Sequence, residues 1–182
     1  MSHSFTAIVF EHHGVIRWLV ERLLHAQSAP AKAAFFDQFA KALGGHLSAV
    51  DKCILPFLRT SGATGLREDQ LARYVVITEA LADLLTIDVT SESFDLAFGA
   101  LASEVLALVD FEQKEMAPVV TDRLGADGCA DMTAGLQLEL RRFMGDDPFG
   151  FLEPTQGRST ALIDEARLVL STLAQSTPPS TP

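Results

Sequence analysis

Imidazole, carboxylate and phenol side chains stand on otherwise apolar helical faces in the two halves of this chain. Residues 13–58 align with residues 74–120 at an offset of 61 or 62 positions. A sequence that repeats in this way builds two copies of one supersecondary unit, so matched positions take matched places in the fold. The alignment pairs His13 with Tyr74, His46 with Leu108, Val50 with Glu112 and Pro56 with Pro118.

The polar residues of these pairs need partners if they lie in a core. A buried neutral polar group costs roughly 1–3 kcal/mol when it is unpaired, and a buried charge costs more. Two neutral imidazoles and one carboxylate also suit a first-row transition metal. We therefore predict that His13, His46 and Glu112 hold one ion, with coordination positions left open for dioxygen, nitric oxide or water. Tyr74, the only tyrosine of the chain, is predicted as a fourth ligand or as a hydrogen-bond partner of Glu112.

The residues leave alternatives open at these positions. His12 lies beside His13, and either ring can turn inward, while Glu115 is a second candidate for the inward acid. A core histidine can also bond to a carbonyl or a carboxylate without any metal. Phosphotransfer at His46 is a further hypothesis, which requires a solvent-exposed histidine near the middle of a helix. The remaining histidines, His3 and His25, are expected at the surface.

Apolar residues recur mostly at helical spacing and β-branched runs are short, which predicts an all-α protein. Leu24 is expected on the inner face of the first helix. Gly44-Gly45 is expected to bend the second helix, and Pro56 to kink it or mark its last turns. Two αα-hairpins of similar length then form an up-down-up-down four-helix bundle. The predicted helices cover about residues 8–26, 31–58, 67–86, 92–123, 129–144 and 158–174.

Three segments resemble motifs of the hemerythrin-like family, the HHE cation-binding four-helix bundles. Residues 11–16, EHHGVI, resemble the acidic-His-x-x-Ile context of that family's helix 1. Residues 46–50, followed by an apolar pair and Pro56, resemble the His-x-x-x-Glu motif of helix 2. Residues 108–112, followed by Pro118 after the same interval, match the corresponding motif of helix 4. The resemblance covers roughly residues 8–123.

Members of the family bind two irons, which two glutamates bridge. The resemblance implies a metal site here too, but one with fewer ligands than that two-iron site. Val50 stands where the family has the helix-2 glutamate, while Tyr74 and Leu108 stand where helices 3 and 4 carry histidines. The surviving ligands are His13, His46 and Glu112, which favours a mononuclear site. The implied function is binding or sensing of iron, with zinc or manganese as alternatives, or of a small ligand such as dioxygen. A metal-free bundle that acts as a regulatory or protein-interaction module is the other hypothesis.

Composition and organisation limit the partners of the chain. A net charge of −10 argues against nucleic acids and anionic membrane surfaces as partners. With no leader-like start and no apolar run of about 18 residues, a cytoplasmic location without membrane spans is expected. No second catalytic group is evident, so an enzyme is not predicted, and a homodimer stays open. The expected parts are a bundle over 1–125, a helical extension packed on it over 126–175, and a disordered tail over 176–182.

Overall fold

The structure is a computed structural model that describes residues 4–145, without the side chains of residues 126 and 127. The described residues form helices and no strand, so the all-α prediction is confirmed for this part of the chain. The α-helices are α1 (Phe5–Leu24), α2 (Ala29–Ala49), α3 (Leu55–Thr60), α4 (Thr64–Leu84), α5 (Glu92–Phe111) and α6 (Ala117–Met144), and the two π-helical turns are Val50–Ile54 and Glu112–Met116.

Serine side chains begin three of these helices. Ser4, Ser28 and Ser91 each accept a hydrogen bond from the backbone N–H three residues later, which satisfies a donor that the first helical turn leaves open. The cap at Ser4 makes α1 start at Phe5, earlier than the apolar spacing predicted. Leu24 is 55% exposed, so its predicted place in the core is wrong. It is the last residue of α1, and the buried face of that helix ends one residue earlier.

A π-helical turn precedes each of the two matched prolines. In the first turn the N–H of Leu55 donates to the carbonyl of Val50, and in the second the N–H of Ala117 donates to the carbonyl of Glu112. A proline lacks an N–H and crowds the carbonyl four residues earlier, and one wide turn accommodates both effects. Pro56 lies as expected in the last turns of the helical segment. The same deformation at matched places supports the duplication.

The predicted break after α5 falls inside α6, at Gly125. Its φ of 69° lies in the left-handed region, which glycine adopts without a Cβ clash. Beyond Gly125, α6 packs along α2. Lys52 donates to Glu139 at 2.6 Å, and a Cβ on Gly135 would lie 3.1 Å from Sγ of Cys53. The second half of α6 thus adds a further helical layer on α2.

The glycine pair in α2 serves this packing. Gly44-Gly45 does not interrupt α2, which runs as a continuous α-helix from Ala29 to Ala49. A Cβ on Gly45 would lie 3.0 Å from the Cβ of Phe143, so the missing side chain lets α6 approach α2 closely. Residues 42–50 are all buried, since neighbouring helices cover this part of α2 on every side.

The remaining contacts hold each repeated half together and join the two halves. Within the halves, α1 packs against α2 and α4 packs against α5. Between them, α1 packs against α5, and α6 packs against α1 as well as α2. Among the described helices, none combines the length and the apolar character that crossing a membrane requires. The predicted helix over 158–174 and the predicted tail over 176–182 lie outside the described residues, as does most of the expected extension. The apolar core draws on every long helix, for example through Ile16, Leu43, Ile77, Leu101 and Leu136.

Candidate metal centre

Three side chains from distant parts of the sequence meet in the core. His13 comes from α1, His46 from α2, and Glu112 is the first residue of the second π-helical turn. The Nε2 atoms of both histidines lie 2.7 Å from the same carboxylate oxygen, Oε2 of Glu112. One ligand atom from each residue lies within 4.8 Å of the other two, and all three residues are buried. The structure thus brings together the three predicted ligands.

The second oxygen of Glu112 is also occupied. Gln70, on α4, donates from its side-chain amide to Oε1. Burial would raise the pKa of Glu112, but its electrostatic interaction with His46 and the hydrogen bonds from His13 and His46 outweigh it and hold that pKa well below its ordinary range. The carboxyl group is therefore an anion in the core, surrounded by three N–H donors.

Both adjacent histidines of α1 turn inward, although only one was expected to do so. His12 and His13 are each fully buried. The ring of His12 stacks parallel on that of His46, with centroids 5.5 Å apart, and its Nε2 lies 3.0 Å from Sδ of Met144. The second half of α6 contributes to this burial, because Met144 covers the ring of His12. Position in α1 alone could not show this cover.

Burial keeps the two α1 imidazoles neutral. It lowers the pKa of His13, and the hydrogen bond to Glu112 opposes this only in part. Burial also lowers the pKa of His12 well below its ordinary value, with further contributions from His46 and His13. A neutral imidazole has a free nitrogen lone pair, which is the form that binds a metal.

Tyr74 completes the polar group from α4. Its side chain is buried, with 1% of its surface exposed. The hydroxyl lies beside Gln70 and Glu112, yet its orientation gives no hydrogen bond of acceptable geometry. Burial and then the charge of Glu112 raise the pKa of Tyr74 well above its ordinary value, so the phenol is protonated near neutral pH. Tyr74 therefore faces the predicted centre.

The other positions of the repeat are apolar, as the sequence shows. Val50 and Leu108 are fully buried and offer no donor atom. Glu115, the alternative inward acid, is exposed, and so is His25, while His3 lies outside the described residues. His46 is only 2% exposed, which removes the phosphotransfer hypothesis because a phosphodonor could not reach its ring.

The donor set fits a small cation in chemistry and nearly in geometry. Two ligand atoms on one ion at bond lengths of about 2.0–2.2 Å lie about 3.0–3.5 Å apart. The 2.7 Å separations seen here are hydrogen-bond distances, so an ion requires the carboxylate to move back by several tenths of an ångström. His12 lies outside the compact group, because its Nε2 points to Met144.

Gln70 is the residue that sequence reasoning missed. It lies one helical turn before Tyr74 on α4 and is fully buried. A glutamine at i−4 from an inward tyrosine shares its helical face, and this spacing was the available signal. Its contact with Glu112, 42 residues away in sequence, could come only from the tertiary structure.

Comparison of the chain with protein-family models, with curated proteins and with solved structures found no match.

Proposed function

We propose that this protein is a hemerythrin-like four-helix bundle with a reduced, mononuclear metal site. The four helices of the bundle are α1, α2 with its continuation, α4, and α5 with its continuation, joined up-down-up-down. His13, His46 and Glu112 hold the ion, and Tyr74 lies next to it. The function is the binding or sensing of iron, or of a small ligand such as dioxygen. The cytoplasm is the proposed location.

One observation carries this proposal. The buried side chains of His13, His46 and Glu112 bring one possible ligand atom each to within 4.8 Å of the other two. A buried anion is costly unless it is paired. Two histidines and one carboxylate that leave open positions are also the ligand set of non-haem ferrous sites. An ion therefore neutralises Glu112 and uses both Nε2 atoms that already point at it.

The surrounding residues restrict what the site can do. A bound iron ion supplies open coordination positions for a diatomic ligand. Gln70 keeps Oε1 of Glu112 occupied and so directs Oε2 toward the histidines. The flanking side chains Val50 and Leu108 are apolar and buried, which keeps water away. Apart from Tyr74 and His12, whose ring stacks on that of His46, the described residues place no further acid or base beside the group, which suits binding better than catalysis.

Metal content tests the proposal directly. Protein purified without an affinity tag is stripped with chelator and titrated anaerobically with ferrous ion. One equivalent is expected to bind, and a saturating excess of about 100 times the dissociation constant should stabilise the fold by about 2.7 kcal/mol. Zinc and manganese are titrated in parallel to identify the preferred ion.

Matched variants separate the site from adventitious binding. His46→Ala removes a ligand and should abolish the stoichiometric ion. His25→Ala removes an exposed histidine whose Nδ1 bonds only locally, to the carbonyl of Glu21 at 2.8 Å, and should bind as the wild type does. Wild-type protein that stays free of metal at micromolar ferrous, zinc and manganese ion contradicts the proposal.

A specific observation favours the alternative, a metal-free bundle that serves as a regulatory or protein-interaction module. Glu112 already accepts bonds from His13, His46 and Gln70, so its anion is satisfied without an ion. Metal binding also moves the imidazole proton of His13 to Nδ1, which is buried and has no hydrogen-bond partner. A thermal midpoint that chelator and added metal both leave unchanged supports this alternative.

A further inference from the structure

The hydroxyl of Tyr74 is buried but has no hydrogen-bond partner. The residue is 1% exposed, so it is shielded from bulk solvent. Buried tyrosine hydroxyls usually form a hydrogen bond, because leaving a buried polar group unpaired is costly. The hydroxyl lies beside Gln70 and Glu112 but meets neither with the geometry of a hydrogen bond. The phenol oxygen therefore has unused bonding capacity beside Glu112.

The carboxylate beside Tyr74 already accepts hydrogen bonds from other residues. Oε2 of Glu112 already faces two Nε2 atoms at 2.7 Å, from His13 and His46. Oε1 is taken by the amide of Gln70. Three N–H donors thus surround the carboxylate, and the phenol O–H does not meet its remaining lone pair with the geometry of a hydrogen bond. A cation beside Oε2 changes this, since it replaces the imidazole protons and attracts the phenol oxygen as a ligand.

We propose that Tyr74 binds the ion as a phenolate and thereby selects ferric iron over divalent ions. This inference rests on the proposed metal site. On binding, the O–H bond of Tyr74 breaks, its proton passes to solvent, and an Fe–O bond forms with no change in the oxidation state of the iron. Tyrosine oxygen is an established type of iron ligand in proteins.

Charge explains the selectivity. Glu112 is the sole anion that the described residues place at the site, so a trivalent ion leaves two positive charges there and a divalent ion leaves one. Phenolate lowers these totals to one and zero. Three positive charges attract a phenolate more strongly than two, so a trivalent ion better offsets the cost of removing the phenol proton. The two positions where the family has a histidine and a glutamate, Leu108 and Val50, are apolar and supply no other anion.

The chain offers an unusually clear spectroscopic test, because Tyr74 is its only tyrosine. Stripped protein is loaded with ferric ion supplied as a weak chelate, and metal content, visible absorption and resonance Raman spectra are recorded. A phenolate-to-iron charge-transfer band with tyrosinate ring modes is expected, and these modes can come only from Tyr74. Tyr74→Phe should lose the band and bind ferric ion at least about tenfold more weakly, since even indirect changes at metal sites cost 10–100-fold.

Thr78→Val is the matched control. It removes another buried hydroxyl without a partner, one turn further along α4, and should keep both the band and the affinity. One equivalent of ferric ion without tyrosinate modes overturns the role of Tyr74 and leaves the metal site standing. A band that persists in Tyr74→Phe also overturns it. Failure to bind any metal overturns both proposals. The Raman spectrum of the wild type decides the matter even if Tyr74→Phe does not fold.

Discussion

Replacing Glu112 by leucine should strongly destabilise the metal-free protein, because this carboxylate satisfies three buried donors. The donors are His13 and His46, each at 2.7 Å, and Gln70. Orphaning three donors at about 1–3 kcal/mol each gives roughly 3–9 kcal/mol. Leucine burial and the relieved desolvation of the anion offset part of this. The expected net loss is about 3–5 kcal/mol, as for other buried networks that lose one charged partner.

His13 cannot escape this cost by changing tautomer. Moving the proton of His13 from Nε2 to Nδ1 places it on another buried atom without a partner. Glu112→Gln is milder, with an expected loss of about 1–2 kcal/mol, because the new amide oxygen still accepts from both histidines. Its NH₂ then meets Gln70, which can rotate its amide and present Oε1, an atom that has no partner in the wild type.

Urea unfolding followed by circular dichroism, with chelator present, measures these free energies. Glu115→Leu is the control, since it changes the same residue type to leucine at an exposed position of the same π-helical turn, and should stay within about 0.5 kcal/mol of the wild type. If Glu112→Leu is as stable as the wild type, or if it equals Glu112→Gln, the three-donor network does not exist in solution.

Two further predictions follow from the core. The native pKa values of His12 and His13 lie below the ordinary value of 6.5, so the unfolded chain binds more protons, and the metal-free protein should lose up to about 1.4 kcal/mol of stability per pH unit for each histidine as the pH falls below about 6.5. In urea titrations at several pH values, His12→Leu should flatten this dependence of stability on pH. An unchanged slope contradicts the neutral buried imidazole. Gly45→Ala brings a Cβ to 3.0 Å from Phe143, whereas the Cβ of Gly14→Ala meets nothing within 4 Å. Thermal unfolding should therefore show that Gly45→Ala loses about 1–3 kcal/mol of stability and that Gly14→Ala gains about 0.5–1 kcal/mol. Equal effects of the two changes contradict the close approach of α6.

The sequence by itself determined the helical class, the order of the helices and the residues that could meet. Helical spacing of apolar residues is a local signal, so it can be read without the fold. The duplication then related His13 to Tyr74 and Val50 to Glu112 across the two halves. Because matched positions of a repeat take matched places, this alignment was enough to group the three candidate ligands before any coordinates.

Only the tertiary structure decided how these residues are satisfied. Whether His12 is buried depends on Met144, 132 residues away, and the role of Gln70 depends on its contact with Glu112. Local propensity treats glycine as flexible, so Gly45 was expected to disturb α2. In the structure its missing side chain lets Phe143 pack closely against α2. Such contacts join distant segments and obey no short-range periodicity. The sequence therefore indicates which groups could form a centre, and packing sets their partners, their charge and their access to water.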